Sequence, residues 1–236
     1  MLIDMHCHLI YGVDDGPQTF EQMTDMIELA CQNRISHIMS TSHIVPGIEL
    51  FNYERYFDNL KKAQNWCKEN NLPIQVHQGS EILYTPETQR FLSEGKIPTL
   101  AQTKNVLVEF IPQVTFDTLI KAAREIGNTC HTPIFAHIER YKCLRNKKNM
   151  QILHDEYQVP LQVNAATITD KQDFFTNRWL SWAIKNDLVD VISSDAHSTK
   201  TRKCRMYQSY QIIKDKYGDQ AAHDLCINNA AKLLKI

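Results

Sequence analysis

The 236-residue chain is sparing with the residues that punctuate loops, holding 7 glycines and 8 prolines. With no low-complexity stretch either, nothing reads as a linker, and residues 1–236 are expected to form one domain. Formal charge is nearly balanced, at −1, and no basic stripe is present, so nucleic acid is not an expected partner. No window approaches the roughly 20 apolar residues of a membrane span, so no insertion into a membrane is expected. The start, MLIDMHCHLIYG, lacks the basic opening and apolar run of an export signal. Cysteine occurs at 7, 31, 67, 130, 143, 204 and 226, but no two form C-x-x-C and none has an arginine six residues on. The first absence fits reduced thiols and a cytoplasmic location. The second argues against a cysteine nucleophile served by a C-x5-R loop. No G-x-G-x-x-G or G-x-x-x-x-G-K-[ST] follows any apolar run, which removes the common nucleotide-binding sheets.

Short apolar runs recur along the chain, at 2–5, 37–41, 74–78, 106–110, 133–137, 161–165 and 189–195. They are rich in valine and isoleucine and too short for stable helices, so they predict strands. Helical periodicity lies between them. Thr19 and Gln22 suggest a capping box ahead of a face made by Phe20, Met23, Ile27 and Ala30. Tyr56, Leu60, Ala63 and Cys67 form a second face, Thr85-Pro86 opens a short helix, and Phe116, Ile120 and Ala123 mark one that ends near Gly127. Further helices are expected over 146–157, 176–186, 200–217 and 219–235. Strand–helix alternation repeated seven times predicts an α/β chain with parallel strands in a closed or nearly closed barrel.

In such a barrel, functional groups gather at the C-terminal ends of the strands. Those ends read His6, His8 and Asp14; His43; Glu81; Glu109; His137 with Glu139 and Arg140; and Asp195 with His197. Each has a plain explanation taken singly: a hydrogen-bonded structural histidine, a buried ion-pair partner, or an aspartate stabilising a turn, the role expected of Asp15 in DDG. Their coincidence at one mouth argues for a metal site. Residues i and i+2 of a strand share a side, so His6 and His8 can serve one ion while Cys7 faces away; Asp195 and His197 repeat the spacing. Imidazole and carboxylate without thiolate suit manganese, iron or zinc, and so many donors imply two or three ions.

The motifs DMHCHLIYGVDDGPQT, TSHI, GSEI, VEF, HIER and SDAH, in this order along almost the whole chain, resemble the PHP (polymerase and histidinol phosphatase) superfamily. Within it they are similar to the manganese-dependent protein tyrosine phosphatases of bacterial capsule and exopolysaccharide operons. The resemblance implies a distorted (β/α)7 TIM-like barrel with three divalent ions, manganese foremost. His6, His8, Glu81 and Asp195 would hold the first, Glu81, Glu109 and His137 the second, and Asp14, His43 and His197 the third. Arg140 and Arg202 match the phosphate-binding arginines, with Arg205 a nearby rival. The implied substrate is a phosphotyrosine protein, an autophosphorylated bacterial tyrosine kinase, hydrolysed by a metal-bridging hydroxide attacking phosphorus. Another phosphoesterase of the superfamily, such as a histidinol phosphatase, is the alternative, and a non-catalytic kinase-docking module a further one. Two spellings depart from the family: TSHI stands for TPHH, and HIER for HPER, which puts the loop shapes after His43 and before Arg140 in question.

Overall fold

Each of the seven apolar runs forms a strand, and beyond those at 37–41 and 74–78 the strand resumes after a break, so nine short strands result. In the computed structural model, which describes residues 1–236, the order is β1 (Leu2–Cys7), α1 (Phe20–Gln32), β2 (Ile35–Ser40), β3 (His43–Ile44), α2 (Tyr53–Glu69), β4 (Gln75–Gln78), β5 (Glu81–Leu83), α3 (Thr88–Ser93), β6 (Asn105–Glu109), α4 (Phe116–Gly127) and β7 (Thr132–Phe135). There follow α5 (Lys147–Gln151), β8 (Gln162–Asn164), α6 (Ala165–Thr169), α7 (Phe174–Lys185), β9 (Val191–Ser193), α8 (Met206–Tyr217), α9 (Asp219–His223) and α10 (Asn229–Leu234). No helix is long and apolar enough to cross a membrane.

All pairings are parallel and follow chain order: β1-β2-β4, β3-β5-β6-β7 and β8-β9. Because β2/β3 and β4/β5 are successive halves of two strands, these sheets make one distorted (β/α)7 ring. Its seams are single bridges, Phe135 to Leu161 and Cys7 to Ala196. The breaks, at Thr41–Ser42 and Gly79–Ser80, lie immediately before His43 and Glu81. Tyr56, buried on α2, staples both: its hydroxyl accepts from Gly79 N at 2.9 Å and lies 2.9 Å from the Ser40 carbonyl. Gly79 fits closely there, since a Cβ would come within 2.9 Å of the Leu100 side chain.

A bulge in β1 aims the first histidines. Asp4 pairs with Ile38 and Cys7 with Ser40, so one extra residue sits on β1. An extra residue reverses the in–out alternation. Below the bulge, Ile3 and Met5 fill the ring interior; above it, His6 and His8 reach the mouth while Cys7 packs outward against the helices. The interior also holds Met39, Leu107, Ile134 and Val191, and is plugged by Leu100, Ala230 and Leu234. The larger part of the core lies between the ring and its helices.

Helix ends differ in detail from expectation. Thr19 caps α1 through Gln22 N, but the Gln22 side chain reaches back to Gln18 N, and Phe20 stays exposed. The helix expected from Thr85 starts at Thr88, because the Thr85 hydroxyl is spent on the Pro46 carbonyl and Glu87 N. The helix expected over 200–217 starts only at Met206; before it, His197 N and Ser198 N both donate to the Arg202 carbonyl, closing a loop. The stretch 146–157 is α5 followed by a π-helical turn.

Candidate metal centre

Of the imidazoles and carboxylates predicted at strand ends, His6, His8, His43, Glu81, Glu109, His137, Asp195 and His197 reach the same mouth. Glu81 is at its middle and almost wholly buried: Oε1 lies 2.9 Å from His137 Nε2 and 3.2 Å from His6 Nε2, and Oε2 lies 3.1 Å from His8 Nε2 and 3.2 Å from His43 Nδ1. Glu109 joins His43 at 3.3 Å and His137 at 3.5 Å. Asp195 Oδ1 is 3.4 Å from His6 and 3.6 Å from both His8 and His197. Three groups of donors are close enough to share ions: His6, His8 and Glu81; His43, Glu81 and Glu109; and His8, Asp15, His43 and His197.

The last group differs from expectation. Asp14 is turned away from the donors: its Oδ2 takes His8 Nδ1–H at 2.9 Å and His43 N–H at 3.2 Å, and its Oδ1 takes Gly16 N–H at 3.0 Å. Asp15, assigned from sequence to the turn, instead brings Oδ1 to 3.2 Å from His197 Nε2 and 3.4 Å from His43 Nε2. The turn is tight enough to decide this, because a Cβ on Gly16 would lie 2.5 Å from the His8 carbonyl. Asp14 therefore orients His8 from behind, and Asp15 faces the mouth.

His137 and Asp195 both adopt left-handed backbone (φ 33° and 51°). Such conformations cost non-glycine residues about 1–3 kcal/mol, and they turn two strand ends so that the side chains face inward. Arg140 and Arg202 bracket Asp195 at 2.6 and 2.8 Å, and Arg202 also reaches Asp15 at 3.4 Å. Arg205 instead contacts Thr169 and pairs with Asp170, away from these groups. Glu139 accepts from Asn164 N and Thr167 rather than joining the donors. Two further residues, Gln162 and Asn164 on β8, lie behind His6, His137 and Asp195. Their i, i+2 spacing in a buried strand was the one available signal.

The donor set suits cations. Burial pulls the His8 imidazole down, yet hydrogen bonds to Asp14 and Glu81 push it up to about 10. Burial opposes the shift at His137 too, but Glu109 and Glu81 raise it to about 9. Glu109, despite burial, is lowered to about 2 by His137 and His43. Carboxylates so packed demand positive charge, and these two imidazoles hold protons that an ion would displace. Burial, with His8 and Arg202 nearby, lowers His197 to about 4. Its Nδ1 donates to the Asp195 carbonyl, and its Nε2 is buried without a hydrogen-bond partner, a lone pair left for a ligand.

The family model for capsular polysaccharide synthesis, CpsB/CapC, matches residues 2–235. This chain belongs to the CpsB/CapC family. Tyrosine-protein phosphatase CpsB of Streptococcus agalactiae is 30% identical over 240 residues, covering 99% of this chain and 98% of the relative. Tyrosine-protein phosphatase YwqE of Bacillus subtilis is 24% identical, with 99% and 92% covered. Among solved structures, that of YwqE from B. subtilis and CpsB from Streptococcus pneumoniae, described as unique metal-dependent tyrosine phosphatases, superposes with a TM-score of 0.89 at 23% identity, over 99% of this chain and 94% of the other. Histidinol phosphate phosphatase from Lactococcus lactis, complexed with zinc, L-histidinol and phosphate, shares the fold at a TM-score of 0.57 and 17% identity, with 97% of each chain covered.

Proposed function

We propose that this member of the CpsB/CapC family is a metal-dependent protein tyrosine phosphatase. Its substrate is a phosphotyrosine protein, an autophosphorylated bacterial tyrosine kinase of capsule or exopolysaccharide synthesis. The observation that carries this reading is the convergence of five imidazoles and four carboxylates with two arginines at one barrel mouth. Three divalent ions are assigned, manganese first, with iron or zinc as substitutes. His6, His8, Glu81 and Asp195 would hold one; Glu81, Glu109 and His137 another; and Asp15, in place of Asp14, would hold the third with His43 and His197. When bound, such ions supply an activated water and neutralise phosphate charge.

The chain's own groups do the rest. Arg140 and Arg202 are half-exposed and already aim guanidinium donors at carboxylate oxygens; the same forks bind the equatorial oxygens of a phosphate as charge grows there. Asp14 keeps Nδ1–H on His8, leaving Nε2 free to ligate. No thiolate takes part: Cys7 packs outward toward the Ala196 carbonyl, and burial raises its thiol well above the usual range. Ile111, two residues after Glu109, and Leu50, on the loop after His43, are large exposed apolar side chains on loops of the catalytic face. They favour an aryl ester in a peptide over a small polar phosphate. The unpaired cysteines fit action in a reducing cytoplasm.

The test is hydrolysis of a phosphotyrosine peptide beside histidinol phosphate, with added Mn²⁺ and again after chelation. Metal-dependent release of phosphate with the peptide preferred is expected. Turnover that survives chelation, or a preference for histidinol phosphate, refutes this reading.

A further inference from the structure

β8 is the one strand of the ring that brings neither imidazole nor carboxylate to the mouth, yet its two buried polar side chains touch residues that do. We propose that Gln162 and Asn164 are positioning residues that fix which nitrogen of His6 faces the metal centre and hold the Asp195 carboxylate in place. This rests on the metal centre proposed above.

The orientation of both amides follows from the ends of the chain they form. The His137 backbone N–H can only donate, and it meets Gln162 at 2.8 Å, so the atom there is the oxygen, Oε1. Gln162 Nε2 then donates to Asn164 Oδ1 at 2.8 Å. Asn164 Nδ2 in turn donates to Asp195 Oδ2 at 2.8 Å, a carboxylate that can only accept when ionised. Reversing either amide would set donor against donor or acceptor against acceptor. The same Gln162 Oε1 lies 3.1 Å from His6 Nδ1. That nitrogen must carry hydrogen, which leaves Nε2, 3.2 Å from Glu81, as the ligating atom. Three hydrogen bonds running in one direction thus tie the His6 ring to the Asp195 carboxylate. Asn164 is itself anchored by donating its backbone N–H to Glu139 at 3.1 Å. Outer partners of this kind set ring orientation and tautomer in metal sites.

Two variants of near-constant volume test the chain. Gln162→Met removes both polar ends, and Asn164→Asp sets an acceptor against Asp195 Oδ2. Mn²⁺ alone is the probe, its dissociation constant read by competition with a chelating dye on the full-length protein. Each variant is expected to weaken binding by about 10–100-fold. The double variant should lose less than the product of the single losses, because both changes break one chain. Wild-type constants in both variants, or fully multiplicative losses, overturn the proposal. Circular dichroism and thermal melting of the metal-free proteins separate a folding defect from a binding one. Should either variant not fold, imidazole ¹⁵N spectra of the metal-free wild type decide: Nδ1–H on His6 is expected, and a tautomer protonated only at Nε2 overturns the assignment. Because no substrate enters these measurements, losses of Mn²⁺ affinity in a protein inert toward phosphotyrosine would sink the phosphatase reading and leave this one standing.

Discussion

Replacing Asp14 and Asp15 in turn by asparagine separates a residue that holds an ion from one that holds a ligand. Asp15 offers the only carboxylate in the group with His8, His43 and His197. Asp15→Asn leaves neutral imidazoles there, so metal per chain should fall by one ion, and turnover by at least about 100-fold, on the scale of lost transition-state charge stabilisation. Asp14→Asn works differently. Its two oxygens together accept three N–H groups, from Gly16 on one side and from His8 and His43 on the other. An asparagine has one acceptor oxygen, so either Gly16 or the His8–His43 pair must face an NH₂ group. A buried donor left unmatched costs about 1–3 kcal/mol, or roughly 5–150-fold in affinity. Asp14→Asn should therefore weaken Mn²⁺ binding by about that factor while the full number of ions still loads at saturation. Elemental analysis at saturating Mn²⁺, with dye competition for affinity, gives both numbers. Loss of an ion in Asp14→Asn together with full loading in Asp15→Asn would refute the assignment.

Arg140→Ala should lower kcat/KM on a phosphotyrosine peptide by about 10–150-fold, the worth of about 1.5–3 kcal/mol for a charge-assisted hydrogen bond, with metal content unchanged by elemental analysis. Tyr56→Phe orphans the buried Gly79 N–H at about 1–3 kcal/mol, so the melting temperature should fall by about 2–12 °C in calorimetry. His154 is raised to about 9 by Asp190, against burial and with help from Asp155. A raised histidine stabilises fully below its unfolded value near 6.5 and loses that contribution as pH climbs through about 9. Urea midpoints should accordingly fall from pH 6.5 to 9 in the wild type more than in His154→Gln; equal slopes in the two proteins would count against the pairing.

The strands that meet at the mouth were legible because each ends in an ionisable residue, which a buried strand end tolerates only with a partner, and because order along the chain maps onto order around the ring. Asp14 and Asp15 were not separable that way. Two adjacent carboxylates in a turn differ only in direction, and direction was set by the close approach of Gly16 to the His8 carbonyl. The β1 bulge left no mark, since an extra residue in a parallel strand changes pairing without changing composition. Of the two strand breaks only Gly79 gave a hint, and nothing in the helical pattern of α2, which connects the two strands, shows that the Tyr56 hydroxyl staples both breaks. Gln162 and Asn164 escaped notice because neutral amides carry no motif, although two polar side chains on one face of a buried strand must find partners somewhere.

The seam between β9 and β1 also fixes when the site can exist. Ser194 N–H donates to Asp4 across a separation of 190 positions, beside the backbone bond from Asp195 N to the His6 carbonyl. A ribosome needs about 10–40 s to cover that distance. For all of that time His6 and His8 are made but lack Asp195 and His197, so the proposed metal centre is incomplete. Closure of the ring therefore waits on its last strand, a pairing of very high sequence separation.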